Sequence, residues 1–113
     1  MRKIEGPFAD ANRKSVRLEI SEGGHFPSQK DLFNQRAYAL VCDLCTWQEE
    51  TLDAPLEVLG SIKDEESTGG GFCVSSVDLR TYFTGALLAR AIKTARSLNL
   101  NVKFLDLGAA IPK

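Results

Sequence analysis

Ala37-Tyr38-Ala39-Leu40-Val41-Cys42-Asp43-Leu44-Cys45-Thr46-Trp47 is the stretch on whose reading the fold turns. As a helix it sets Ala37, Leu40, Val41 and Leu44 at three- and four-residue steps, with Phe33 one turn earlier. Asp31, Asn34, Gln35, Tyr38, Cys42 and Thr46 then fall on the opposite side. As a strand it alternates Tyr38, Leu40, Cys42 and Leu44 with Ala37, Ala39, Val41 and Cys45, in a composition rich in strand formers. Two features favour the helix. Asp43 interrupts one alternating face, and no Gly or Pro between Ser28 and Ala54 separates this run from a helix start upstream. That start is Ser28-Gln29-Lys30-Asp31, which resembles a capping box with Asp in place of the usual Glu or Gln, so the helix is expected from about Gln29. The strand reading stands as the alternative and gives a five-stranded α+β sheet.

Upstream, residues 15–21 alternate Val16, Leu18 and Ile20 with Arg17, Glu19 and Ser21, the pattern of a strand covered on one side. A loop rich in Gly and Pro follows at 22–27. Residues 1–14 carry Gly6, Pro7 and Asn12 without periodicity and are expected to form a flexible arm, leaving 15–113 as a single α+β domain.

Downstream, Leu52-Asp53-Ala54-Pro55 reads as a turn and 56–63 as a strand with a bulge at Gly60. A polar loop ends in Gly69-Gly70-Gly71, and 72–77 reads as a further strand. Asp78 is then suited to cap a helix over 79–98. Its apolar positions Phe83, Leu87, Leu88, Ala91, Ile92, Ala95 and Leu98 are set against Arg90, Lys93, Arg96 and Ser97. Asn99 and Asn101 suit a left-handed helix end, and 102–107 reads as the last strand. Strand, helix and strand with short joints form a right-handed crossover, so these two strands should run parallel, adjacent or with one strand between them. The whole order, β-α-β-β-α-β, predicts a ferredoxin-like α+β fold: a four-stranded antiparallel sheet with two helices on one face. Its first and third strands are then central, and its reverse face is uncovered.

A net charge of −1 and a pI near 5.8 give no global attraction to nucleic acid or anionic membrane. The charge is uneven, with Glu49, Glu50, Asp53, Glu57, Asp64, Glu65 and Glu66 in the middle and Arg2, Lys3, Arg13, Lys14 and Arg17 at the front. Such patches either face solvent or meet in a self-associated oligomer. No apolar run approaches the length of a membrane span and none follows Met1 as a signal core, so a cytoplasmic location is expected. Three cysteines, an odd number, suggest reduced thiols.

The chemical motifs are incomplete. Cys42 and Cys45 have redox or half-zinc spacing, but they lie far along the helix from its N-terminus, where the dipole would favour a thiolate. Only Cys73 and the lone His25 remain to complete a metal site, so no metal or cofactor is expected. His25, Ser75 and Ser76 lack a third group to orient a nucleophile, and the glycine run lacks the Lys-Ser/Thr of a phosphate loop. RNA-binding domains of this fold stack bases on aromatic side chains of the two central strands. Here Gly71-Phe72 matches the start of their signature, but Cys73, Val74 and Val77 follow and residues 16–21 hold no aromatic, so nucleic acid is not an expected partner.

Two surfaces remain. The predicted topology brings Gly23-Gly24-His25 and Gly69-Gly70-Gly71 together near the first helix, where Gly24, His25, Ser28, Gln29 and Gly70 could hold a small anion. The uncovered sheet face is expected to show Arg17, Leu59, Cys73, Ser75, Leu105 and Leu107, together with Glu19 and Lys103, and to meet a partner or a second copy. The function expected is a small non-catalytic interaction or ligand-binding module that self-associates through this face. The alternative is a small enzyme built around His25 and the glycine runs.

Overall fold

The computed structural model describes residues 13–24, 29–53, 55–60, 62–65, 73–82 and 84–107. The elements are β1 (Arg13–Glu22), α1 (Lys30–Leu52), β2 (Glu57–Val58), β3 (Lys63–Glu65), β4 (Val74–Tyr82), α2 (Gly85–Ser97) and β5 (Leu100–Asp106). The sheet runs β2-β4-β1-β5, with β3 also paired to β4. Every pairing is antiparallel. Because β2 meets Leu79 and Arg80 while β3 meets residues 74–76, the two short strands lie along one side of β4 in the place of a single strand. This is the ferredoxin-like arrangement. β4 and β5 both oppose β1 and are therefore parallel to each other with β1 between them.

Residues 37–47 lie inside α1, which removes the alternative strand reading. Phe33, Ala37, Leu40 and Leu44 are fully buried, and Val41 nearly so. They join Leu87, Ala91 and Ala95 of α2 in one cluster with Val16, Leu18, Ile20, Val77 and Leu79 of the sheet. Both helices therefore cover the same face. Each fully buried leucine contributes about 1.5–3 kcal/mol through apolar burial. An ion pair also joins the helices: Arg90 donates to Asp43 through Nε at 3.0 Å and Nη2 at 2.8 Å, and Thr94 Oγ1 donates to the same carboxylate at 2.7 Å.

Several boundaries differ from expectation. β1 begins at Arg13 rather than Ser15. The N-cap of α1 is Gln29, whose side chain makes no capping bond, and Ser28 lies outside the described residues. α1 ends at Asp53, left-handed at φ 53° with its N–H donating to Glu49 O, and Ala54 of the expected turn lies outside the described residues. The strand expected over 56–63 is divided. Leu59 N–H still donates to Asp78 O at 2.8 Å, and the chain leaves β4 at Gly60 before rejoining it at Lys63.

The largest correction is at Asp78. It is not a helix cap. β4 continues through it to Tyr82, and α2 is capped by Thr84, whose Oγ1 accepts Leu87 N–H at 3.2 Å. Asp78 stands opposite Arg17 in the ladder and accepts from its Nε at 2.7 Å and Nη2 at 3.3 Å. The alternation of Val77, Leu79 and Thr81 keeps these three buried side chains on the core face of the strand. Leu88 and Ile92 are accordingly exposed on α2. Asn99, at φ 59°, ends that helix, while Asn101 belongs to β5. Among the described residues, no helix is long and apolar enough to cross a membrane.

Candidate interaction surfaces

Directly paired residues share a face of the sheet. Val16 with Leu79, Leu18 with Val77 and Ile20 with Ser75 lie beneath the helices. On the reverse face Arg17 stands between Asp78 and Leu105, and Glu19 stands between Ser76 and Lys103. Arg13 lies over the Tyr82 ring at 5.4 Å and pairs with Glu57. Lys14 Nζ is 3.7 Å from Asp106, and Arg17 is held by Asp78. The basic residues at the start of β1 thus meet acidic partners within the chain. Ion pairs this exposed contribute about 0–1 kcal/mol each.

The expected members of this face are divided by the structure. Arg17 and Leu105 lie on it, and Leu107 continues it beyond β5, with its N–H donating to Ser15 O at 3.0 Å. Ser75 does not. It is fully buried on the helix side, opposite Ile20, and Cys73 packs against the core. The reason is register: with Asp78 on the reverse face, the two-residue period gives Ser76 and Val74 to that face and Ser75 to the helix side, although Ser76 is buried as well. Leu59 is 45% exposed at the sheet edge, where the chain parts from β4.

At the end of the sheet, Gly24 is half-buried and Gln29 exposed, while His25, Ser28 and Gly70 lie outside the described residues. Gly23 N–H donates to Asn99 O at 2.9 Å, so close an approach that a Cβ on Gly23 would meet that oxygen at 3.1 Å. Glu22 is the unexpected member of this region. Its side chain is 2% exposed, with Oε1 3.8 Å from Arg36 Nη2 and Oε2 accepting Cys73 N–H at 2.7 Å. The Cys73 N–H is therefore engaged by the protein's own carboxylate, and a small anion placed beside it meets a buried negative charge. One signal for Glu22 was present in the sequence: it falls in phase with Val16, Leu18 and Ile20, on the face that goes to the core. Gln48 carries the analogous signal on α1, one turn beyond Leu44. It is fully buried, accepts from Thr81 Oγ1 and donates through Nε2 to Pro55 O at 3.1 Å.

An apolar groove of about 400 Å³ lies between α1 and the β2–β3 edge, lined by Tyr38, Val41, Cys42, Cys45 and Thr46 on one side and by Val58, Gly60 and Ile62 on the other. None of the three cysteines is in a disulfide. Burial pushes the Cys45 thiol up from its ordinary value, and the nearby Cys42 and Glu49 push it further. That environment opposes thiolate formation. Among the described residues no three His, Cys, Asp or Glu side chains gather as metal ligands would.

No family model matches the chain and no curated protein matches it. Among solved structures it is similar to an uncharacterised protein from Thermotoga maritima, at 14% identity and a TM-score of 0.46, over 84% of this chain and 98% of that one. It is similar also to a hydantoinase/carbamoylase family amidase from Burkholderia ambifaria, at 14% identity and a TM-score of 0.40, over 83% of this chain and 27% of the amidase. These likenesses are of fold alone.

Proposed function

We propose that the chain is a small non-catalytic interaction module that associates with a second copy through the open face of its sheet. The observation that carries this reading is Leu105, an apolar residue on the face opposite both helices, beside Arg17. Leu107 continues the apolar strip. The neighbouring positions are charged and of mixed sign, Glu19 with Lys103 and Arg17 with Asp78. An apolar strip with such a border is the composition of an interface core with a polar rim. The test is Leu105→Glu, a change at a half-buried site that leaves the helix-covered core intact. The expected result is a lower molecular mass in solution with an unchanged circular dichroism spectrum. An unchanged mass overturns the reading.

A further inference from the structure

The charges around Leu105 divide into two kinds. Arg17 is held by Asp78, Arg13 by Glu57 and Lys14 by Asp106. Glu19 and Lys103 stand directly opposite one another on β1 and β5, yet among the described residues no hydrogen bond or ion pair engages either side chain. Glu19 is half-buried and Lys103 exposed. Both lie on the face that carries Leu105, because Arg17 pairs with Leu105 two positions along the same ladder. An acid and a base side by side, each without an ion pair of its own, make a pattern complementary to its own image.

We infer, resting on the open-face reading, that the second copy of this chain sits about a two-fold axis running along the strands between β1 and β5, so that Glu19 of each copy meets Lys103 of the other. Neighbouring strands lie about 4.8 Å apart, and such an axis exchanges their two columns of side chains. Glu19 comes to face Lys103, Arg17 to face Leu105, and Ser15 to face Leu107. Sheets packed face to face are about 10 Å apart, a gap that a Glu–Lys pair spans. Arg17 keeps its own Asp78 while its methylene stem covers the Leu105 of the other copy. Other axes oppose association. A two-fold lying on β5 sets Lys103 against Lys103, and one crossing the strands at Leu105 sets Arg17 against Arg17.

Sedimentation equilibrium on Glu19→Lys, on Lys103→Glu and on an equimolar mixture of the two tests it, with circular dichroism to show that each variant is folded. Either variant alone turns two attractive contacts per dimer into repulsive ones and should weaken association about 30-fold. In the mixture every contact again joins opposite charges, so the mass of two chains should return at the concentration where the native chain shows it. The weakening should largely vanish in about 1 M salt, where the screening length is about 3 Å. The pairing is overturned if either variant alone associates as tightly as the native chain, or if the weakening is unchanged by salt. It is equally overturned if the mixture keeps the mass of one chain, the result expected of a Glu19–Lys103 contact confined within one chain. Leu105→Glu separates the two levels. A mass lowered by Leu105→Glu with no recovery in the mixture overturns the pairing alone, whereas a mass unchanged by Leu105→Glu overturns the open-face reading and the pairing with it.

Discussion

Gln48→Met exchanges a fully buried polar side chain for an apolar one of similar length and removes two hydrogen bonds, one from Thr81 Oγ1 and one to Pro55 O. The two lost partners are not equivalent. Thr81 is fully buried, so its hydroxyl finds no water, and an orphaned buried hydroxyl costs about 1–3 kcal/mol. Pro55 belongs to an exposed turn, where its carbonyl can turn to solvent at smaller cost. Burying the methionine side chain returns about 1 kcal/mol. The net expected destabilisation is about 2 kcal/mol, which at a urea slope of about 1–2 kcal/mol per molar moves the midpoint down by about 1–2 M. Trp47, the lone tryptophan, is half-buried next to Gln48 and reports the transition by fluorescence. Thr81→Val in the Gln48→Met background removes the orphan and should recover about half of the loss. A midpoint shift below about 0.3 M, or no recovery on adding Thr81→Val, would refute the view that this buried polar pair fastens α1 to β4.

Other outcomes follow from the same structure. Thr84→Ala removes the side-chain acceptor for Leu87 N–H and should lower stability by about 1 kcal/mol, measured by thermal melting. Leu44→Ala, at a fully buried position, should cost about 3–5 kcal/mol in the same assay, because the cavity closes only in part. Asp43 is held below its ordinary value of 3.8, chiefly by the hydrogen bond from Arg90, with burial opposing and Thr94 assisting. A depressed carboxyl pKa stabilises the fold above the unfolded value and loses that effect as pH falls through the folded value. Stability should therefore decline in acid below about pH 4, and Asp43→Asn should flatten that decline in a pH series of urea midpoints. Iodoacetamide should modify exposed Cys42 faster than Cys45, whose thiol is pushed up by burial. Equal rates by mass spectrometry would contradict that ordering.

Much of the architecture was legible in local pattern. Phe33, Ala37, Leu40, Val41 and Leu44 recur at helical spacing, and Val16, Leu18 and Ile20 alternate. These periods are direct consequences of helix and strand geometry, so they survive in a single sequence. The same local rules failed at Asp78, which has the chemistry of a helix cap but finds Arg17 across the ladder, 61 residues away in sequence. They failed again at Ser75 and Ser76, which are chemically identical, are both buried and differ only in which face of the sheet the register gives them.

The sites followed the same division. Leu105 was readable on the open face because β5 alternates, whereas the groove joins Tyr38, Cys42 and Thr46, the side of α1 turned from its apolar stripe, to an edge strand distant in sequence. Glu22 and Gln48 sat in phase with core positions, yet only packing shows how burial is tolerated there: Arg36 and Cys73 N–H face the carboxylate, and Thr81 and Pro55 satisfy the amide. The amino-acid sequence by itself determined the order and type of the elements and which stripe of α1 goes to the core, because those depend on near neighbours along the chain. Where β4 ends, which serine faces the helices and which buried polar groups are satisfied were decided by the tertiary structure, because each depends on a partner that only folding brings within hydrogen-bond reach.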